Sequence, residues 1–307
     1  MKRPTSHGTA SGPAAALRAL HIDGTVRRAL GGTANMHWLV ESGGARLVLR
    51  RYGPWRAPAE VAWELELQRR LRADGWRVPG PLSAPAVVGD HVWAVMSWVP
   101  GRRRRPRGDA SRIDGQRRRG RLLGELHLAM QSHLDLGARP GWTRIDGWLD
   151  SRDRGRTVDD VLDDRSSITS DAREMFKEYA HRARQWVVDS DARDLPLVIV
   201  HGDLNPTNVL YTPDGSVTVI DFDLARLDLL GAEFAWAPRR YPWAMVDGFS
   251  EVVPFPARDR AGLAPLSWIA VLDAVRREAQ WPSRPLPDSF TTYQEFLATT
   301  PPGAFGS

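Results

Sequence analysis

Two short acidic stretches carry the residue types that could do chemistry. The first is His201-Gly202-Asp203-Leu204-Asn205-Pro206-Thr207-Asn208, entered from the apolar run Val198-Ile199-Val200 and left through Val209-Leu210-Tyr211. The second is Asp221-Phe222-Asp223, entered from Val217-Thr218-Val219-Ile220. A carboxylate can position a hydroxyl and take its proton. An amide oxygen and a second carboxylate make the hard oxygen set that Mg²⁺ prefers. Apolar residues flank both stretches closely, which is how a chain fixes a few polar side chains on rigid supports. Asp, Asn and Gly also populate turns for local hydrogen-bonding reasons. Turn chemistry alone does not account for two acidic loops, each leaving an apolar strand.

The spacing narrows the chemistry. His201-x-Asp203, four residues and then Asn208 matches the catalytic loop of kinases, His-Arg-Asp-x-x-x-x-Asn. Asp221-Phe222-Asp223 stands where that fold places its metal-binding Asp-Phe-Gly. On this match Asp203 is the base, Asn208 and Asp221 are Mg²⁺ ligands, and Asp223 is either a further ligand or a loop cap. His201 orients the loop. Gly202 in place of Arg and Asp223 in place of Gly lean away from protein kinases. With those departures, the two stretches resemble the aminoglycoside phosphotransferase family of small-molecule kinases. The resemblance runs from about Gly24 to Ala235. It implies an α+β, two-lobe protein-kinase-like fold with a small β-rich N-terminal lobe and a larger, mostly helical C-terminal lobe. It also implies transfer of the γ-phosphoryl of ATP, with Mg²⁺, to a hydroxyl of a small molecule.

The elements that must position these groups read in the same order. Residues 1–13 are polar and small-residue rich and are expected to form a disordered tail. Residues 14–100 form the expected N-terminal nucleotide-binding lobe, and residues 101–307 the catalytic and acceptor-binding lobe. A short helix over Ala14–Leu20 precedes two strands joined by a turn containing Gly31 and Gly32, whose N–H groups could face the phosphates of ATP. The third strand, Arg46–Tyr52, presents Arg50 where the family has a phosphate-binding cation. Arg51 points to the other face, toward solvent. The helix Ala57–Asp74 carries Glu64 where the family's helix has a Glu that pairs with the third-strand cation, here Arg50, with Glu60 and Glu66 as alternatives on other faces. Ser97, Trp98 and Val99 follow a hairpin and are expected to offer backbone groups to the adenine. A helix over Arg119–Leu134 supports the catalytic loop, with His127 as a core histidine. Beyond the second acidic loop, Glu233 stands where the family has an Asp that buttresses the catalytic loop. A last helix spans Leu263–Trp281.

Composition bounds the rest. The 307 residues can bury a substantial core, and the absence of cysteine excludes disulfides and thiolate metal sites. No run is apolar enough to span a membrane and no leader-like segment opens the chain, so a cytoplasmic enzyme is the simplest reading. The net charge of +5 includes the cluster Arg102-Arg103-Arg104-Arg105-Pro106-Arg107. No aromatic residue is interleaved with it, so a solvated face is expected in preference to a nucleic-acid site. The acidic residues between Asp146 and Asp164 read as a mixed-charge surface, with a site for a cationic acceptor as the alternative. The acceptor is expected to be a small hydroxylated molecule. An antibiotic fits the family name, a homoserine-, choline- or sugar-like metabolite is the metabolic alternative, and a non-catalytic kinase-like binding protein is the rival. The sequence does not specify an oligomeric state.

Overall fold

The computed structural model describes residues 12–32, 34–104, 108–152, 155–164, 170–235 and 242–278. Residues 1–11 of the expected tail, Arg105 and Arg107 of the arginine cluster, and everything after residue 278 lie outside the described residues. The chain separates into two compact units. One comprises the described residues up to Arg103 together with Arg139–Gly141 and Val209–Asp223, and the other comprises Arg104–Ala138, Trp142–Asn208 and the described residues from Leu224 onward.

The first unit is built on a five-stranded antiparallel sheet. Its elements are α1 (Pro13–Ala19), β1 (Thr25–Gly31), β2 (Met36–Ser42), β3 (Ala45–Arg51), α2 (Pro58–Ala73), β4 (Ala86–Val88) and β5 (His91–Ser97). The strand order is β1-β2-β3-β5-β4, with β3 at the centre. Period-two alternation in β3 sends its side chains to two different cores. Leu47 and Leu49 pack with Ala16 and Leu17 of α1, with Leu20 just past its end, and with Trp93 and Val95. Val48 and Tyr52 pack on the other face with Val61 and Leu65 of α2. Arg50 pairs in register with Ala94, a member of that second core, so the same alternation carries its guanidinium under α2. Arg51 does not simply project into water. Its guanidinium lies 5.8 Å from the Trp38 ring centroid and 5.9 Å from that of Trp93, because two neighbouring strands supply aromatic faces that attract a cation. A two-stranded antiparallel ladder from later in the chain completes the unit.

The second unit is mostly helical. Its elements include α3 (Gly108–Gln131), α4 (Val158–Asp163), α5 (Ser170–Asp189) and the strand β6 (Leu197–Val200). The chain then contributes β7 (Val209–Tyr211) and β8 (Val217–Val219), an antiparallel pair, to the first unit. The second unit resumes with β9 (Arg226–Leu229), α6 (Ala232–Ala235), α7 (Pro242–Ser250), α8 (Ala257–Ala261) and α9 (Leu263–Glu278). β6 pairs antiparallel with β9. α3 begins well before the expected Arg119, because its first turns bury Gln116, Arg119 and Gly120 and so show no apolar period. Of the expected stripe, Leu126 and Met130 are buried in α3, His133 is buried just past its end and Leu122 is half-buried, while Trp268, Ile269, Leu272 and Val275 of α9 are buried as expected. Among the described residues no helix is long and apolar enough to cross a membrane.

Candidate active site

In the first unit, Arg50 is the centre of a buried ionic cluster. Its Nη1 donates to Glu64 Oε1 at 3.0 Å, and its Nη2 lies 3.1 Å from Asp223 Oδ1 and 3.3 Å from Asp221 Oδ1. Three carboxylates therefore converge on one guanidinium, whose planar fork can serve several acceptors at once. They hold its proton more firmly than usual against the cost of burial. Glu64 lies on a buried stripe of α2 with Glu60 and Gln68, at i, i+4 spacing. Burial pushes the Glu64 carboxyl up, against the pull of Arg50 and Arg139. Gln68 Nε2 and the Tyr52 hydroxyl also donate to Glu64 Oε1, each at 3.3 Å.

The loop after β8 brings both of its acids into this cluster but treats them differently. Asp221 has φ of 66°, the left-handed region that non-glycine residues seldom occupy, and its side chain is 43% exposed. Asp223 is nearly buried. Burial opposes its charge, but Arg50, Arg56 and Arg139 outweigh that and hold its carboxyl below the usual range. Arg56 Nη2 reaches Asp223 Oδ2 at 3.0 Å, and Arg56 also pairs with Glu60. The Asn35 side chain hydrogen-bonds to Asp223 and accepts from Gly53 N–H at 3.2 Å. Asp223 is thus spent on guanidinium partners, while Asp221 keeps an accessible edge.

Arg139 is fully buried in this cluster. Its Nη2 donates to Glu64 Oε2 at 2.9 Å, and its Nη1 donates to the carbonyls of Asp223 at 3.0 Å and Phe222 at 3.4 Å. The sequence offered no signal for it. Arg139 stands in an aperiodic segment, Gly137-Ala138-Arg139-Pro140-Gly141, and its partners are 75 and 84 residues away in the chain. Arg56 was legible in principle, since it stands four residues before Glu60.

In the second unit, β6 delivers the catalytic-loop stretch. Gly202 has φ of 76°, and a Cβ there would lie 2.8 Å from the Leu224 carbonyl oxygen and 2.9 Å from Arg226 Nη1, so only glycine fits where kinases carry Arg. Asn205 Nδ2 donates to both carboxylate oxygens of Asp203 at 2.9 Å. Asn208 Nδ2 donates to Asp203 Oδ2 at 3.0 Å and to the Asp203 carbonyl at 2.9 Å, which leaves its amide oxygen as the acceptor end. His201 Nδ1 accepts from Asp203 N–H at 3.3 Å. Glu233, from the first turn of α6, accepts from His201 N–H at 2.6 Å and Gly202 N–H at 2.9 Å. It fills the buttress position with one more methylene than the family's Asp. Burial raises its carboxyl to about 7 despite those two donors. His127 is buried, its imidazole pushed down to about 4 by desolvation, and edge-on to Phe249 with ring centroids 5.4 Å apart, as a core histidine is.

The remaining expected residues are less collected. Gly31 and Gly32 end β1 with φ of 86° and 142°, and a Cβ on Gly32 would lie 1.7 Å from the Asn35 carbonyl oxygen. Ser97 is tied to Gly80. Its N–H donates to the Gly80 carbonyl at 2.8 Å and its Oγ accepts from Gly80 N–H at 2.9 Å. Trp98 and Val99 are half-buried outside the strand. The described acidic residues of the run in the second unit pair with cations. Asp146 pairs with Arg144, Asp150 and Asp159 with Arg184, Asp160 with Arg152, Asp163 with Lys177 and Asp164 with Arg156.

The model of the phosphotransferase enzyme family APH matches residues 25–269. A homoserine kinase of Mesorhizobium japonicum is 26% identical over 262 residues, covering 77% of this chain and 74% of that protein. Among solved structures, a microcompartment-associated aminopropanol kinase superposes with a TM-score of 0.68 at 21% identity, covering 92% of this chain and 93% of that one. A spectinomycin phosphotransferase in complex with ADP and spectinomycin superposes with a TM-score of 0.58 at 13% identity, covering 95% and 94%. The fold is therefore kinase-like, and the chain belongs to the phosphotransferase enzyme family APH, as a kinase of small molecules.

Proposed function

We propose that the protein transfers the γ-phosphoryl group of ATP to a hydroxyl of a small molecule. The observation that carries this reading is the held carboxylate of Asp203, fixed through both oxygens by Asn205 and Asn208 on a loop whose entry is pinned by Glu233. In the proposed step the acceptor hydroxyl oxygen bonds to the γ-phosphorus, the bond to the β,γ-bridging oxygen breaks, ADP leaves, and the hydroxyl proton passes to Asp203. Little covalent work falls to the protein, so positioning and electrostatics supply most of the acceleration. Arg50, held by Glu64, would contact phosphate, and the Gly31–Gly32 turn and the Ser97–Val99 segment would contribute backbone groups to ATP.

The donor set suits Mg²⁺. Asn208 presents an amide oxygen and Asp221 an accessible carboxylate, both hard oxygens. Among the described residues no three His, Cys, Asp or Glu side chains form a metal cage. Mg²⁺ does not ask for one, since it is commonly held by one or two carboxylates plus substrate phosphates and water. Bound there, it would neutralise charge on the transferring phosphates. Asp223, committed to Arg50 and Arg56, suits the loop-cap role better than that of a ligand.

Two acceptor classes follow from the family, an antibiotic or a small hydroxylated metabolite such as a hydroxy amino acid or amino alcohol. The metabolite is the reading favoured here. The described acidic residues from Asp146 to Asp164 each pair with Arg or Lys, Asp150 and Asp159 sharing Arg184, so little of their negative charge is left for a polycation. The test is transfer from labelled Mg-ATP across homoserine-, choline- and aminopropanol-like acceptors, sugars, nucleosides, aminoglycosides and macrolides, with Asp203→Asn as control. A labelled product lost in the variant supports the reaction and identifies the acceptor class. Unimpaired turnover by Asp203→Asn would sink the assignment of the base.

A further inference from the structure

We propose that Arg139 is a positioning residue for the metal, tying the Glu64 carboxylate to the backbone that follows Asp221 and thereby fixing the direction in which Asp221 presents its oxygens. The proposal rests on the phosphotransferase reading above. One guanidinium spans two kinds of partner. One arm meets Glu64 Oε2 on α2 at 2.9 Å, while the other meets the carbonyls of Phe222 and Asp223, the two residues after Asp221. Glu64 Oε1 is meanwhile given to Arg50 at 3.0 Å. Glu64 is therefore shared between the expected phosphate-binding cation and the cation that braces the metal loop.

Two further observations point the same way. Asp221 sits at φ of 66°, a conformation that persists in a non-glycine residue only when its surroundings over-determine it. The Arg139 contacts fall on the next two peptide units, where they can do that. Second, the Arg139 side chain has no exposed surface, and burial lowers its hold on its proton. Filling that volume would not require a charge, because an apolar side chain packs a core at lower desolvation cost. What the fork adds is a fixed geometry joining three acceptors, which Lys, a point charge on a flexible stem, cannot reproduce.

The experiment compares wild type, Arg139→Lys and Arg139→Met by circular dichroism, by calorimetric binding of a non-hydrolysable ATP analogue with and without Mg²⁺, and by steady-state kinetics. The expected result is a folded Arg139→Lys variant whose affinity for the analogue without metal is close to wild type. Its affinity in Mg²⁺ should fall by about tenfold or more, the size of effect seen when a residue orienting a metal ligand is lost. The KM for the acceptor should stay unchanged, and Arg139→Met should behave the same way more severely. Equal losses with and without metal, wild-type Mg²⁺ dependence in folded variants, or failure of both variants to fold would each overturn the positioning role. Wild-type protein that binds no nucleotide would overturn the phosphotransferase reading itself, which the variants alone could not do.

Discussion

Glu233 shows how much one side chain can decide. Its two oxygens satisfy the buried N–H groups of His201 and Gly202, so Glu233→Ala leaves two donors without their acceptor. An unmet buried donor costs about 1–3 kcal/mol, so the variant should unfold at distinctly lower denaturant and lose turnover as Asp203 drifts. Titration gives a second test. The folded carboxyl titrates at about 7 against an ordinary 4.5, so the native state holds this proton more tightly than the unfolded chain does. The associated stability is complete below pH of about 4.5 and is lost as pH rises through about 7, a change on the order of 3 kcal/mol. His127, depressed to about 4, has the opposite sense. Its contribution is present above its ordinary 6.5 and is lost as pH falls through about 4. The difference between wild type and Glu233→Gln, measured by urea unfolding from pH 5 to 8, isolates the glutamate. A slope identical in the two proteins would contradict the assignment.

At the scale of elements, the β6–β9 ladder leads into the proposed catalytic loop and holds a buried ion pair. Arg226 Nε meets Asp228 Oδ2 at 2.6 Å, beneath the rings of Trp142 and Trp148, and Asp228 also accepts from the N–H groups of Ile145 and Leu229. Asp228→Ala strands the Arg226 charge and leaves the N–H groups of Ile145 and Leu229 without their acceptor, and should cost about 3–5 kcal/mol, whereas Arg226→Met with Asp228→Asn, which keeps an acceptor for them, should recover much of that. Thermal unfolding of the three proteins checks the order. The strands and helices of each unit were largely legible, because β3 and α2 in the first and β6 and α9 in the second carry apolar residues at strand or helix periods. The early turns of α3 were not, since Gln116, Arg119 and Gly120 form their buried face. Asp203, Asn208 and Asp221 could be picked out because their spacing is local. Arg139 could not, because only the folded chain brings it to Glu64.

For the whole molecule, the proposed function makes stability depend on ligand. Mg-ATP binding only the folded state should add about 2.7 kcal/mol at a hundredfold excess over its Kd, read as a concentration-dependent rise in Tm that EDTA abolishes. The arginine-rich face should add no comparable response to nucleic acid, since Arg117 and Arg121 already pair with Glu251. A rise in Tm with duplex DNA that vanishes in salt would contradict this. The first unit is also assembled from three separated stretches of chain, which sets a schedule for synthesis. Glu64 leaves the ribosome long before Arg139 and before Asp221 and Asp223. At about 5–20 residues per second the interval from Glu64 to Asp223 is roughly 8–30 s. Throughout it the nascent sheet carries acids and arginines destined for burial without their full set of partners. The N-terminal stretch therefore cannot finish folding as it emerges. Its ionic cluster gains its last members only when nearly three-quarters of the 307 residues have been made.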